Sequence, residues 1–291
     1  MIQTSGFFTS PSPLPESDSS VLEQLSETAD GHCVLLKGHR NDRVVVYKAL
    51  KAEYRDDPVQ QRMLRREYEI GISLKHPGIC EVLAWTTLPQ YGDSIEMEWI
   101  DGCRLDEWLS AHPDDTALQK KVLLDLCDAL SYLHRKQVIH KDLKPENILI
   151  THYGNYTKVI DFGLSDTDSI LTGKDPAGTR QYAAPEVVAG GMAVAQSDIF
   201  SLGRVMQGMD PVFAGIARKC TRMDQTTRYA SAEEVRRDLE RIGRMRPWRI
   251  LVPLGLLAAA ILLALLLLRG DPAEKLFLDA VEQVRQAAMP S

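Results

Sequence analysis

The segment IHKDLKPENILI, residues 139–150, sets His140, Asp142, Lys144 and Asn147 at fixed steps and then runs straight into three apolar residues. A solvated loop has no use for that order, and a buried strand does not tolerate its charges unless each is paired. The order raises the question of what these groups are for. The rest of the chain must supply the partners of those groups and the neighbours of that strand.

The 291 residues allow one large domain or two small ones, and 44% hydrophobic with 25% charged residues is enough for a sizeable core. A net charge of −6 argues against a nucleic-acid partner, which needs a basic footprint. Cys33, Cys80, Cys103, Cys127 and Cys220 are odd in number, scattered and without a C-x-x-C pair. They read as ordinary thiols of a reducing compartment, not as a disulfide framework or zinc site.

The ends differ in texture. Residues 1–20 carry no basic n-region and no apolar run, and read as a Ser/Pro-rich disordered leader. Residues 250–268, ILVPLGLLAAAILLALLLL, hold no charge over 19 positions. As a helix rising about 1.5 Å per residue they would span roughly 28 Å, close to a bilayer's hydrocarbon thickness. They are expected to form a transmembrane helix. Six arginines from Arg236 to Arg249 precede this run, whereas Arg269 and Lys275 follow it. The positive-inside rule then puts the N-terminal part in the cytoplasm and residues 269–291, a short amphipathic tail, outside.

Between the ends, β-rich texture gives way to α-rich texture. HCVLLKGH and RVVVYKAL flank a polar turn and predict a hairpin. Met63, Leu64, Glu67, Ile70 and Leu74 predict a helix over about 59–75, and CEVLAWTTL and DSIEMEWI resume the strand texture. From Leu105 helices dominate. Val122, Leu123, Leu126, Ala129, Leu130 and Leu133 share one helical face, and Ser231 with Glu234 marks a capping box.

After HKDLKPEN come KVIDFGLS (158–165), GTRQYAAPE (178–186) and SDIFSLG (197–203). This ordered set resembles the eukaryotic-type Ser/Thr protein kinase family, of the bacterial membrane-anchored type, over roughly residues 26–242. The resemblance implies an α+β, bilobal fold: a small β-rich N-lobe at about 21–100 and a larger helical C-lobe at about 101–245, followed here by the transmembrane helix. It implies ATP and Mg²⁺ as cofactors and protein Ser/Thr hydroxyls as substrates. Phosphoryl transfer needs in-line positioning and neutralised phosphate charge. By resemblance Asp142 orients the substrate hydroxyl, Lys144 reaches the γ-phosphate, and Asn147 and Asp161 hold the metal. Lys48 would bind phosphates with Glu67 as its partner, and His140 would be structural. Met97 would be the gatekeeper, the backbone from Glu98 to Ile100 the adenine contact, and Leu149 the floor beneath it. Glu186 with Arg228 would brace the C-lobe, and Asp198 would tie its helix to the catalytic loop.

The sequence departs from that pattern in four places. The glycine-rich loop falls on SETADG (26–31), where only Gly31 survives, and Ser26 and Thr28 would present amides with side chains in the way. Lys141 stands where an arginine is usual and lacks its bidentate fork. Gly71 replaces a large apolar residue on the regulatory helix and is expected to loosen it. Only thirty residues separate Asp198 from Arg228, so a docking helix is expected to be missing or reduced. The degraded loop keeps a pseudokinase scaffold open beside an active kinase. A small-molecule kinase is disfavoured by the LKPEN and APE elements.

Overall fold

The computed structural model describes residues 22–28, 31–161, 181–243 and 279–283. The leader, residues 250–268, most of the tail and the segment following Asp161 that carries Phe162, Ser165, Thr167, Ser169, Thr172 and Thr179 lie outside them. By its contacts the chain forms two units, 1–242 and 243–291. In the second, the described residues 279–283 are helical and exposed. Among the described residues no helix is long and apolar enough to cross a membrane.

In the first unit, β1 (Glu23–Glu27), β2 (Cys33–Arg40), β3 (Arg43–Leu50), β4 (Val82–Leu88) and β5 (Gly92–Glu98) form one antiparallel sheet in the order β1-β2-β3-β5-β4. The expected hairpin is β2–β3. Its turn places Asn41 at φ 48° and Asp42 at φ 63°, the left-handed pair whose twist matches that of the strands. Alternation on β3 sends Val45, Tyr47 and Ala49 into a cluster with Leu36 and Leu88, while Leu50 joins Ile95 and Leu64 on the opposite side. Lys48 shares the face of Leu50. Strand β1 was not anticipated, because EQLSE is an edge strand with mostly exposed side chains and no apolar alternation.

Helix α1 (Pro58–Gly71) starts where Asp57 accepts a hydrogen bond from Val59 N at 2.7 Å, with Pro58 in its first turn. It ends four residues before the expected Lys75. Ser73 donates to Ile70 O through both its amide, at 3.1 Å, and its hydroxyl, at 2.7 Å, and Leu74 N bonds Gly71 O at 3.0 Å. These tight bonds close the last turn and send Leu74 into the C-lobe core.

Gly71 corrects one expectation. It is buried, and a Cβ there would lie 2.5 Å from Val82 Cγ2, so the glycine marks close approach of α1 to β4, not a loosened helix. Gly71→Leu is expected to force that contact apart and destabilise the fold by roughly 1–3 kcal/mol, read as a lower urea midpoint. An unchanged midpoint would mean that the α1–β4 spacing is not tight in solution.

The C-lobe opens with β6 (Gly102–Arg104), which pairs with β7 (Ile148–Thr151) and, beyond it, β8 (Thr157–Val159). Helix α2 (Leu105–Ala111) follows β6. Helix α3 (Thr116–Arg135), capped by Asp115, buries Val122, Leu123, Leu126, Ala129, Leu130 and Leu133 on the face its spacing predicts. After α4 (Pro185–Val188) and α5 (Ala195–Met206), a single 3₁₀ turn at Pro211–Phe213 leads directly to α6 (Ala214–Cys220). Among the described residues no further helix stands there, as the short Asp198–Arg228 interval predicts. Helix α7 (Ala232–Arg241) packs along α3. Ser231 Oγ accepts from Glu234 N at 3.4 Å, while the Glu234 carboxylate returns to Ala230 N at 3.0 Å.

Candidate active site

The N-lobe half of the site is a lysine between two carboxylates. On β3, Lys48 pairs in register with Leu35 and Ile95, which fixes its backbone, and its side chain is buried. Lys48 Nζ donates to Glu67 Oε1 at 2.8 Å and Oε2 at 2.9 Å, and to Asp161 Oδ1 at 2.6 Å. Burial pulls the ammonium pKa down, but the charges of Asp161 and Glu67 overcome it and hold Lys48 well above the ordinary lysine value. For Asp161 burial works against ionisation, yet the contact with Lys48 wins and its pKa is lowered. Asp161 adopts φ 56°, a left-handed conformation uncommon outside glycine.

The C-lobe half lies on the loop between α3 and β7. Asp198 at the start of α5 is fully buried and gathers that loop. Its Oδ2 accepts from His140 N at 2.9 Å and its Oδ1 from Lys141 N at 2.9 Å, and His134 Nε2 sits 2.8 Å from Oδ2. Lys141 itself is held at φ 70°. On this anchor, Lys144 Nζ meets Asp142 Oδ2 at 2.7 Å. Asn147 Nδ2 donates to Asp142 O at 2.8 Å and to Oδ2 at 3.0 Å. His140 is buried with Nε2 3.2 Å from Ile160 O, the structural place that the resemblance implies. Ile160 N bonds Asn147 O at 3.0 Å and so ties this loop to the residue before Asp161. The fixed steps of residues 139–150 thus put the three candidate side chains on one braced turn, with Ile148 and Ile150 of β7 buried behind them.

Burial raises the Asp142 pKa above the ordinary carboxylate value, and Lys144 opposes that rise. A carboxylate shifted upward loses its charge at higher pH, so activity that needs ionised Asp142 falls as pH drops through the raised value. The acid limb of kcat/KM should therefore lie above that of an ordinary aspartate. Lys144→Met should move it higher still by removing the opposing charge. A limb that stays put in this variant would show that Asp142 does not set it.

Between the halves lies a cleft of about 300 Å³. Met97, Glu98, Ile100 and Leu149 line it, as do Asn147 and Asp161. Leu35 and Val46 also line it and were not anticipated individually. The sequence signal was available, since strand alternation from Lys48 puts Val46 on the same face and Leu35 is directly opposite Lys48. Cys80 forms part of the wall with its thiol pKa pushed up by burial to about 12, which leaves it inert.

At the loop over the cleft, Ser26 and Thr28 border the cavity, whereas Gly31 serves the turn at φ 75°. Thr28 is not an obstruction. Its hydroxyl accepts from Cys33 N at 3.0 Å and donates to Cys33 O at 3.3 Å, closing the β1–β2 hairpin.

Asn147 supplies an amide oxygen and Asp161 a carboxylate, hard donors that suit a divalent cation whose remaining ligands are water and phosphate oxygens. Among the described residues no cluster of three or more His, Cys, Asp or Glu could by itself hold a metal ion. Below the cleft, Arg228 grips Glu186 through Nη1 and Nη2, each at 2.8 Å, and Ser197 donates to Glu186 Oε1 at 2.8 Å. This buried fork holds α4 against α5.

A family model for the protein kinase domain matches residues 20–248. The chain is 34% identical over 174 residues to serine/threonine-protein kinase PrkC of Bacillus subtilis, covering 57% of this chain and 26% of that protein. It is 32% identical over 231 residues to serine/threonine-protein kinase PknB of Mycobacterium tuberculosis, covering 72% of this chain and 36% of that one. Both alignments thus take in well under half of the relative. A crystal structure of the M. tuberculosis PknI kinase domain superposes with a TM-score of 0.59 at 17% identity, over 78% of this chain and 98% of that one, a likeness of fold.

Proposed function

Because the chain belongs to the protein kinase domain family, we propose that it is a serine/threonine protein kinase, moving the ATP γ-phosphoryl group to protein Ser and Thr hydroxyls with Mg²⁺. The observation that carries this reading is the assembled Lys48–Glu67–Asp161 triad, with Lys48 Nζ within 2.9 Å of both carboxylates. In this reading the buried Lys48 ammonium meets the phosphates and the Asp161 carboxylate meets the metal. Glu98 N is already bonded to Glu81 O at 2.9 Å, so the adenine edge falls to the Glu98 carbonyl and the Ile100 amide. Asp142 takes the substrate hydroxyl proton as the oxygen attacks, and Lys144 balances the charge that develops on the phosphoryl oxygens.

The second reading, a scaffold without transfer, draws only on the glycine-poor loop at 26–31. Labelled ATP with Mg²⁺, followed by phosphoamino-acid analysis, separates the two. Phosphoserine or phosphothreonine supports the kinase, phosphotyrosine alone overturns the Ser/Thr assignment, and no transfer favours the scaffold.

We further propose that residues 250–268 anchor the chain in a membrane, with the kinase domain cytoplasmic and residues 269–291 outside. The support is the uncharged run and its arginine-rich N-terminal flank. Protease added to intact cells should spare the kinase domain, and its digestion there would reverse the orientation.

A further inference from the structure

The turn between β7 and β8 carries two tyrosines that the active site does not use. Tyr153 is 87% exposed and Tyr156 60% exposed. A single exposed aromatic needs no explanation, but this pair stands on a turn braced from several sides. Thr151 Oγ1 donates to Tyr153 O at 2.7 Å and accepts from Tyr156 N at 3.0 Å. Trp108 Nε1 donates to Asn155 Oδ1 at 2.9 Å, and Lys121 Nζ donates to Asn155 O at 2.8 Å. Gly154, at φ 79°, leaves room for the Tyr156 ring, which an added Cβ would strike. Lys121 Nζ lies 4.5 Å from the centroid of that ring. The turn therefore holds both rings at the surface in fixed positions.

The chain leaves the domain close by. Lys120 is next to Lys121 on α3, and its Nζ donates at 2.5 Å to the carbonyl of Ile242, the last residue of the first unit. Two lysine arms and one Cα step then put Asn155 O and Ile242 O within roughly 20 Å of each other. Seven residues, 243–249, separate Ile242 from the uncharged run at 250–268. Fully extended, they reach about 25 Å. A domain of this length has a radius of gyration of about 18 Å, so its opposite faces stand about 45 Å apart. That leash is too short to turn the neighbourhood of Ile242 away from a membrane that holds residues 250–268.

We propose that the β7–β8 turn is a membrane-docking surface, with the Tyr153 and Tyr156 rings settling among phospholipid headgroups. The proposal rests on the anchor proposed above for residues 250–268. Tyrosine suits that layer, since its ring is apolar and its hydroxyl stays hydrated. Charge does not drive the contact, because Lys121 is paired with Asp125, Arg236 with Asp128 and Glu240, and Arg241 with Asp238. A neutral phosphatidylcholine surface therefore suffices. Two rings alone hold lipid weakly, but the short leash makes docking intramolecular, at an effective concentration on the order of millimolar. Strand β7 runs from the turn of Asn147 to this tip, so docking fixes the height of the candidate catalytic turn above the bilayer.

The test uses the full-length chain, either anchored in phosphatidylcholine nanodiscs or dissolved in amphipol, which offers no lipid surface. Hydrogen exchange read by mass spectrometry follows the amides of residues 152–156. In discs these should exchange at least about 10-fold more slowly than in amphipol. Tyr153→Ser should remove most of that difference while leaving exchange in amphipol unchanged, and Tyr153→Trp should keep it. The wild-type comparison needs no variant, so it decides even where the serine chain is less stable. Equal exchange in discs and amphipol, or slowing that survives Tyr153→Ser undiminished, overturns the docking surface. A chain that enters discs without slowed exchange leaves the anchor standing and removes the docking alone. A chain that fails to enter discs overturns the anchor, and the docking with it.

Discussion

Asp142→Ala should leave MgATP affinity within about twofold and lower phosphoryl transfer by about 10²–10⁴-fold, the range for a lost general base. In the proposed role Asp142 contributes to the reaction more than to the bound ground state, so the loss belongs in kcat. The geometry supports that separation. Asn147 Nδ2 keeps its bond to the Asp142 backbone oxygen at 2.8 Å when the side chain is gone, so the amide proposed to face the metal stays oriented. A variant that loses nucleotide affinity and rate together would show that Asp142 shapes the cleft and does not act mainly on the substrate hydroxyl.

Asp161→Ala should behave differently. It removes the carboxylate 2.6 Å from Lys48 Nζ and, with it, the one charged oxygen donor proposed for the metal. Glu67 still holds Lys48 at 2.8 Å, so the lysine should remain in place. Metal-dependent nucleotide binding should weaken and transfer should fall at least about a hundredfold, because charge stabilisation is lost where it develops. Titrating nucleotide with and without Mg²⁺ checks this. In wild type the metal should strengthen binding, and in Asp161→Ala that gain should largely vanish. An undiminished Mg²⁺ gain in the variant would place the metal elsewhere.

Much of this site was legible in the sequence because its groups sit on local motifs. Asp142, Lys144 and Asn147 share one turn, and the resemblance to the kinase family implied that they converge. The face of α3 and the β2–β3 hairpin followed from periodicity and turn chemistry. What was not legible depends on contacts between distant segments. The closeness of Gly71 to Val82 comes from α1 packing on β4, and position 71 alone suggested a weakness. Thr28 read as an obstruction until its bonds to Cys33 across the hairpin were in view. Strand β1 has no apolar alternation, since it is an exposed edge secured by backbone pairing with β2. The cavity between α1 and strands β4 and β5 joins residues 50–65 to residues 85–93, and neither stretch announces it alone. Helix α1 ended early because the Ser73 hydroxyl competes for the Ile70 carbonyl, a local effect that apolar spacing does not register.

The most direct measurement is a single-turnover transfer experiment with the full-length chain, labelled ATP and excess Mg²⁺, run beside Asp142→Ala under the same conditions. An assembled Lys48–Glu67–Asp161 site predicts label on Ser and Thr from the wild type and a rate at least about a hundredfold lower from the variant. Equal, background-level transfer from both would contradict it and leave the residues at 139–150 as the scaffold of a protein that does not transfer phosphate.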